Sequence, residues 1–151
     1  MRSKKTKSGF ALHVLNANQT ITYVVSAHLW IEHLLVRSLF AVLPKPEAIF
    51  NKRQPSFSQL VDLAEAVDAI KSDFAAVLRC VNGLRNKYAH RLSFDPNSKE
   101  VSDLNHALQS MQTPFLIDTL PPTEERMTLA LASICGLLQR RAKELGATGT
   151  D

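Results

Sequence analysis

Between Val24 and Leu43 the chain is apolar over nearly the length needed to cross a bilayer, yet His28, Glu32, His33 and Arg37 interrupt it. Ionisable groups at that density are costly in hydrocarbon, so the stretch predicts a buried helix of a soluble protein with no membrane association. Ile21, Val24, Val25, Leu29, Leu35, Leu39 and Phe40 recur at helical spacing, while Trp30, Ile31, Leu34 and Val36 carry apolar surface around much of the remaining circumference. A helix apolar on most sides is central to a bundle or shared with another subunit. The spacing predicts that it starts between Leu15 and Thr22 and runs to Leu43, where Pro44 and Pro46 stop it.

The rest of the chain follows the same period. With 151 residues there is room for one domain with a real core, and five glycines among seven prolines leave long uninterrupted segments between breakers. Ser56 and Gln59 have the form of a capping box, which predicts a helix from Phe57 to about Ile70 with Leu60, Leu63, Ala64, Val67 and Ile70 inward. Ser72 or Asp73 can cap a helix carrying Phe74, Val77, Leu78, Val81 and Leu84. A shorter helix is expected from Lys99 to Met111, with Val101, Leu104 and Leu108 inward. The loop Thr113–Pro122 is expected to lay Phe115, Leu116, Ile117 and Leu120 over the core. A last helix begins near Pro122 or Thr123, has Glu124 and Glu125 in its first turn, and ends at Gly146. The expectation is an all-α antiparallel bundle of about five helices over residues 10–146, with a disordered basic arm at 1–9 and frayed residues at 147–151.

Charge narrows the functional classes. Arg2, Lys4, Lys5 and Lys7 stand in an acid-free tail and account for the whole net charge of +4, so the body is neutral. Within that body Asp62, Glu65, Asp68 and Asp73 crowd one segment, while Arg79, Arg85, Lys87 and Arg91 follow without an acid among them. Cys80 and Cys135 lie far apart in apolar helical runs, which suits free thiols in a reducing, cytoplasmic setting. Phe10 to Val14 is too short, and too interrupted by His13, for a signal-peptide core. There is no glycine-rich phosphate loop, CxxC pair, HExxH motif or nucleophile elbow, so neither a cofactor nor a metal is expected. His28, Glu32 and His90 lack a fourth ligand for a metal site. On the central helix His28 and Glu32, four residues apart, are expected to pair with each other, with Arg85 or His90 as alternative partners for Glu32.

The stretch Val81-Asn82-Gly83-Leu84-Arg85-Asn86-Lys87-Tyr88-Ala89-His90-Arg91 reads differently from the packing segments around it. Arginine offers a permanent charge with forked donors that match phosphate, and histidine titrates near neutral pH. In a helix Arg85 and His90 are about 140° apart, whereas Asn86 and His90 point to nearly the same side. Arginine and histidine therefore converge only if the helix loosens at its end or if copies from two subunits meet. A polar network that merely closes a helix C-terminus accounts for the same residues without any function.

Arg85-Asn86, three intervening residues and His90 resemble the arginine–histidine motif of the HEPN superfamily. The run Leu84–His90 followed by Leu92-Ser93-Phe94-Asp95 is similar to its mannitol operon repressor-like branch, over roughly residues 20–112. That resemblance implies a helical bundle that homodimerises through the motif face. For active members it implies metal-independent RNA cleavage, with His90 handling the proton, Arg85 holding phosphate oxygens and Asn86 orienting His90 or touching RNA. Lys87, Arg91 and Arg79 are then candidate RNA contacts, and Tyr88 either stacks on a base or packs. A toxin or defence ribonuclease of this kind implies a cognate antitoxin. Many toxin-like members carry a tyrosine two positions after the histidine, where this chain has Leu92, and the repressor-like branch implies instead a non-catalytic transcriptional regulator or scaffold acting through protein contacts.

Overall fold

A computed structural model describes residues 5–90, 95–111 and 124–151, with the side chains of residues 5–18 outside the description. The described residues form six helices and no strand: α1 (Lys5–Val42), α2 (Glu47–Phe50), α3 (Phe57–Ala66), α4 (Ser72–Tyr88), α5 (Lys99–Ser110) and α6 (Glu124–Glu144). The fold is an all-helical bundle. α1 is its centre, packing on α3, α4 and α6, while α5 packs on α4.

The apolar period explains the arrangement. Ile31, Leu34, Leu35 and Leu39 of α1 are fully buried against Leu60 and Val61 of α3, Leu78 and Leu84 of α4, Leu104 of α5, and Ile134 and Leu138 of α6. Each such side chain contributes about 1.5–3 kcal/mol of transfer free energy, so α1 is held from several sides at once. Gln19–Val42 is long and apolar enough to cross a membrane by length and composition. In this fold Val24, Ile31, Leu34, Leu35 and Leu39 of that stretch lie in the core.

Several boundaries differ from expectation. The backbone of α1 is already helical at Lys5, so it takes in residues 5–9 of the expected arm and starts well before Leu15. Nothing between Lys5 and Val42 is a proline, and Gly9 alone costs a helix only about 1 kcal/mol. The segment between Pro44 and Pro55 holds the short α2, in which the Phe50 ring packs tilted against that of Phe40 with centroids 4.9 Å apart.

The Ser56–Gln59 capping box is present in full at the start of α3. That helix nevertheless stops at Ala66, short of Ile70. Asp68 takes the left-handed position (φ 56°), the amide of Ala69 reaches back to the carbonyl of Ala64 at 2.9 Å, and that of Asp68 reaches Glu65 at 3.1 Å. This is a Schellman closure with aspartate where glycine is usual, and Arg141 of α6 secures it by donating to the carbonyls of Ala69 (2.9 Å) and Asp68 (3.1 Å). At α4 neither Ser72 nor Asp73 is the N-cap; that position is Lys71, and Asp73 instead accepts from the amide of Phe74 at 2.8 Å.

α6 ends at the predicted glycine. Gly146 has φ 83°, and the amide of Ala147 returns to the Ala142 carbonyl at 3.0 Å. Residues 147–151, expected to fray, fold back over α1 and α6 instead. His33 Nε2 donates to the Gly149 carbonyl at 2.7 Å, Arg37 donates to the carbonyl of Thr148 and to its hydroxyl at 2.6 Å, and Gln139 donates to the Thr150 carbonyl at 2.6 Å. Thr150 is buried. The expected packing of Phe115, Leu116, Ile117 and Leu120, and the helix start at Pro122 or Thr123, lie outside the described residues.

Candidate functional site

α4 presents the motif as its last turns. Its buried side is Phe74, Val77, Leu78, Val81, Leu84 and Tyr88, which directs Arg79, Gly83, Asn86 and His90 outward along a single stripe. The apolar period of α4 thus fixes which polar groups face solvent. The helix closes tightly: Ala89, the C-cap, bonds through its amide to the carbonyl of Arg85, and the amide of His90 reaches Lys87 at 3.2 Å. That short i to i−3 contact tightens the end rather than loosening it.

Arg85, Asn86 and His90 are all exposed. The Arg85 charge is close enough to act on His28 of α1. One guanidinium nitrogen leans back and donates to Asn86 Oδ1 at 3.2 Å, drawing the charged head toward the stripe that ends in His90. Among the described residues no hydrogen bond or ion pair ties the His90 side chain, nor does one join it to Arg85.

Beneath this surface lies a buried polar node. His28 of α1 is 7% exposed, stacks on Phe57 of α3 at 4.1 Å between ring centroids, and its Nε2 donates to Asn82 Oδ1 of α4 at 3.1 Å. Burial pushes the His28 imidazole below the ordinary histidine range, with Arg85 acting in the same direction, while the Asn82 bond and Glu32 pull it upward. The expected His28–Glu32 pairing is therefore replaced by a bond to a residue far away in sequence. Glu32 acts on His28 only through its charge.

The remaining candidate RNA contacts have partners inside the fold. Lys87 is ion-paired with Glu100 of α5, and its side chain is only 15% exposed. Arg79 is tied to Asp62 at 2.8 Å and to Glu65, both on α3. Tyr88 is 3% exposed, with its hydroxyl bonded by the backbone of Asp95 and pushed by burial up to about 12, so its ring packs instead of presenting a face to a base. Arg91 lies outside the described residues. Of the cations assigned to this cluster, Arg85 is the one the described structure leaves on the surface with only a neutral neighbour.

No family model, curated protein or solved structure matches the chain.

Among the described residues no group of three or more His, Cys, Asp or Glu side chains is arranged to hold a metal ion. A groove of about 500 Å³ between α2 and α3, lined by Ile49, Arg53, Pro55, Gln59, Asp62 and Leu63 among others, takes in no residue of α4. Sequence reasoning gave no role to Asn82 or Phe57. The spacing held a clue for the first, since Asn82 stands one helical turn before Asn86.

A second surface is apolar. Leu29 is 59% exposed, and Val25 and Phe40 are also exposed, with Val36 half-buried between them on the same side of α1.

Proposed function

We propose that the chain is an RNA-directed HEPN-type protein, a cytoplasmic metal-independent endoribonuclease of the toxin or defence type, working as a homodimer through Arg85 and His90. The observation that supports this reading is the exposure of Arg85, Asn86 and His90 at the end of α4, while Arg79 and Lys87 are held by acids within the fold. In the proposed step His90 takes the proton from a ribose 2′-hydroxyl, whose oxygen attacks the adjacent phosphorus, and the bond to the 5′-oxygen of the next nucleotide breaks. That leaving oxygen takes up a proton, and the products are a 2′,3′-cyclic phosphate and a 5′-hydroxyl. Arg85 bears the negative charge that builds on the non-bridging oxygens, and Asn86 holds the guanidinium in place. Because residues five apart on an ideal helix point about 140° away from each other, a second copy supplies the missing half of the site.

Purified protein incubated with mixed-sequence RNA and a chelator is expected to cut it and leave cyclic phosphate ends. His90→Ala is expected to abolish cutting while unfolding at the wild-type temperature. Equal cutting by that variant removes His90 from the mechanism.

The exposed α1 stripe favours a second reading, a non-catalytic regulator or scaffold similar to mannitol operon repressors, in which Val25, Leu29 and Phe40 receive another protein, such as a regulatory partner or antitoxin. It predicts no RNA cleavage under any of these conditions, and loss of partner binding on Leu29→Glu.

A further inference from the structure

The buried node under Arg85 does more than fill space. On a helix, residues three and four apart are surface neighbours with Cβ atoms about 5–6 Å apart. Asn82 stands three residues before Arg85 and four before Asn86, so the three side chains form one triangle, and His90 follows on the next turn beyond Asn86. Asn82 is half-buried, and its amide has two different ends, an acceptor oxygen and a donor nitrogen. Which end faces outward decides whether the triangle attracts or repels an anion.

His28 makes that choice. Its ring is packed on Phe57 at 4.1 Å, and its Nε2 lies 3.1 Å from Asn82 Oδ1, which accepts from it when the ring carries its proton on Nε2. In that tautomer, turning the amide over would bring its NH2 against the Nε2–H and leave two donors facing each other in a buried place. The oxygen is thereby held inward, and among the described residues no hydrogen bond occupies the amide nitrogen.

We propose that Asn82 is a further phosphate-binding residue of the Arg85–Asn86 site, its amide nitrogen donating to a non-bridging phosphate oxygen, and that His28 is the positioning residue that keeps this nitrogen outward. The inference rests on the reading that Arg85 receives an RNA phosphate. It adds that the site binds its anion through a charged fork and a neutral donor on adjacent turns of one helix, with the neutral donor set from the core by α1.

The test uses the full chain, with the Asn82 side-chain NH2 signal followed by NMR during titration with inorganic phosphate and with a short single-stranded RNA carrying a 2′-deoxy block against cleavage. The signal is expected to move with both probes in the wild type. It should still move in His28→Gln, whose amide NH2 can donate to the same oxygen, and should stay in place in His28→Leu. Asn82→Asp keeps an acceptor for His28 but puts a negative charge where the donor stood, so it should retain the wild-type unfolding temperature while weakening RNA binding about tenfold or more, the scale of one hydrogen bond to a charged group. A purely structural Asn82 predicts an unmoved signal in the wild type, and that result, or wild-type RNA affinity in Asn82→Asp despite its added negative charge, overturns the proposal. If the signal moves but no RNA is ever cut, the nuclease reading fails and the phosphate site stands. If RNA is cut equally by the wild type and Asn82→Asp with unchanged affinity, the nuclease reading stands and this inference falls.

Discussion

His28 of α1 and Asn82 of α4 meet at 3.1 Å inside the bundle, directly under the turn that exposes Arg85 and Asn86. A buried imidazole held below its ordinary range binds protons less readily in the folded chain than in the unfolded one. The groups bearing on it are Arg85 from α4 and Glu32 from its own helix, with the uncharged ring of Phe57 from α3. Its contribution to stability is therefore present above the ordinary histidine value of about 6.5 and is lost progressively as pH falls below it toward the lowered folded value. Unfolding temperature followed from pH 7.5 to pH 5 should decline, and His28→Phe should flatten that decline. A slope unaffected by the substitution would assign it to other groups.

Arg141 is expected to matter for folding rather than function. It donates to two carbonyls of the turn that ends α3, and Arg141→Met leaves both without that donor. The expected loss is about 1–3 kcal/mol, which for a chain of this size lowers the unfolding temperature by several degrees. Denaturant melts of the two proteins measure it directly, and an unchanged midpoint would show that the closure holds without α6.

The segment after α6 should be sensitive at Gly149. Its φ of 69° lies in the left-handed region, and an added Cβ would stand 3.2 Å from the Arg37 guanidinium. Gly149→Ala should cost about 1–2 kcal/mol or release the segment, which hydrogen exchange at residues 148–151 would report as lost protection. Retained protection at full stability would mean that the tail accommodates the methyl group.

Gly83 offers a separation of stability from function. Among the described residues nothing lies within 4 Å of a Cβ added there, so none of them calls for a glycine in mid-helix. Gly83→Ala should stabilise the protein by about 0.5–1 kcal/mol. Gly83 lies on the stripe with Asn86 and His90, so the proposed close approach of RNA or a second copy predicts weaker binding or dimerisation in the same variant. A gain in stability with no loss of either would mean that the glycine serves no contact.

The cations can be told apart by salt. Arg85→Ala should reduce the slope of log affinity for RNA against log salt by about 0.7, the single-strand value for one phosphate contact, whereas Lys87→Met should leave the slope unchanged and lower stability through loss of its pairing with Glu100. Equal slope changes for the two variants would return Lys87 to the binding surface.

What the chain disclosed in advance was local. Gly146 as a helix stop, the Ser56–Gln59 capping box and the central role of α1 follow from residues a few positions apart, where spacing and residue chemistry suffice. The stop at Asp68 was hidden because aspartate occupies a left-handed position that sequence reading assigns to glycine. The partner of His28 was hidden for a different reason. Glu32 is its neighbour along one helix, but Asn82 reaches it only through the packing of α1 on α4. The commitments of Lys87 to Glu100 and of Arg79 to Asp62 and Glu65 likewise come from helices meeting in space, so a run of basic residues in sequence gives a much smaller basic surface in the fold.

Arg85 and His90 are proposed to act together across two copies of the chain. Arg85→Ala and His90→Ala proteins, each inactive alone, should regain RNA cleavage when co-expressed or unfolded and refolded together, because half of the resulting dimers hold one complete pair. A recovery to roughly a quarter of wild-type activity is expected from random pairing of two-fold dimers. Mixed protein that stays at the level of the single variants while wild-type protein cuts RNA would contradict a site shared between subunits.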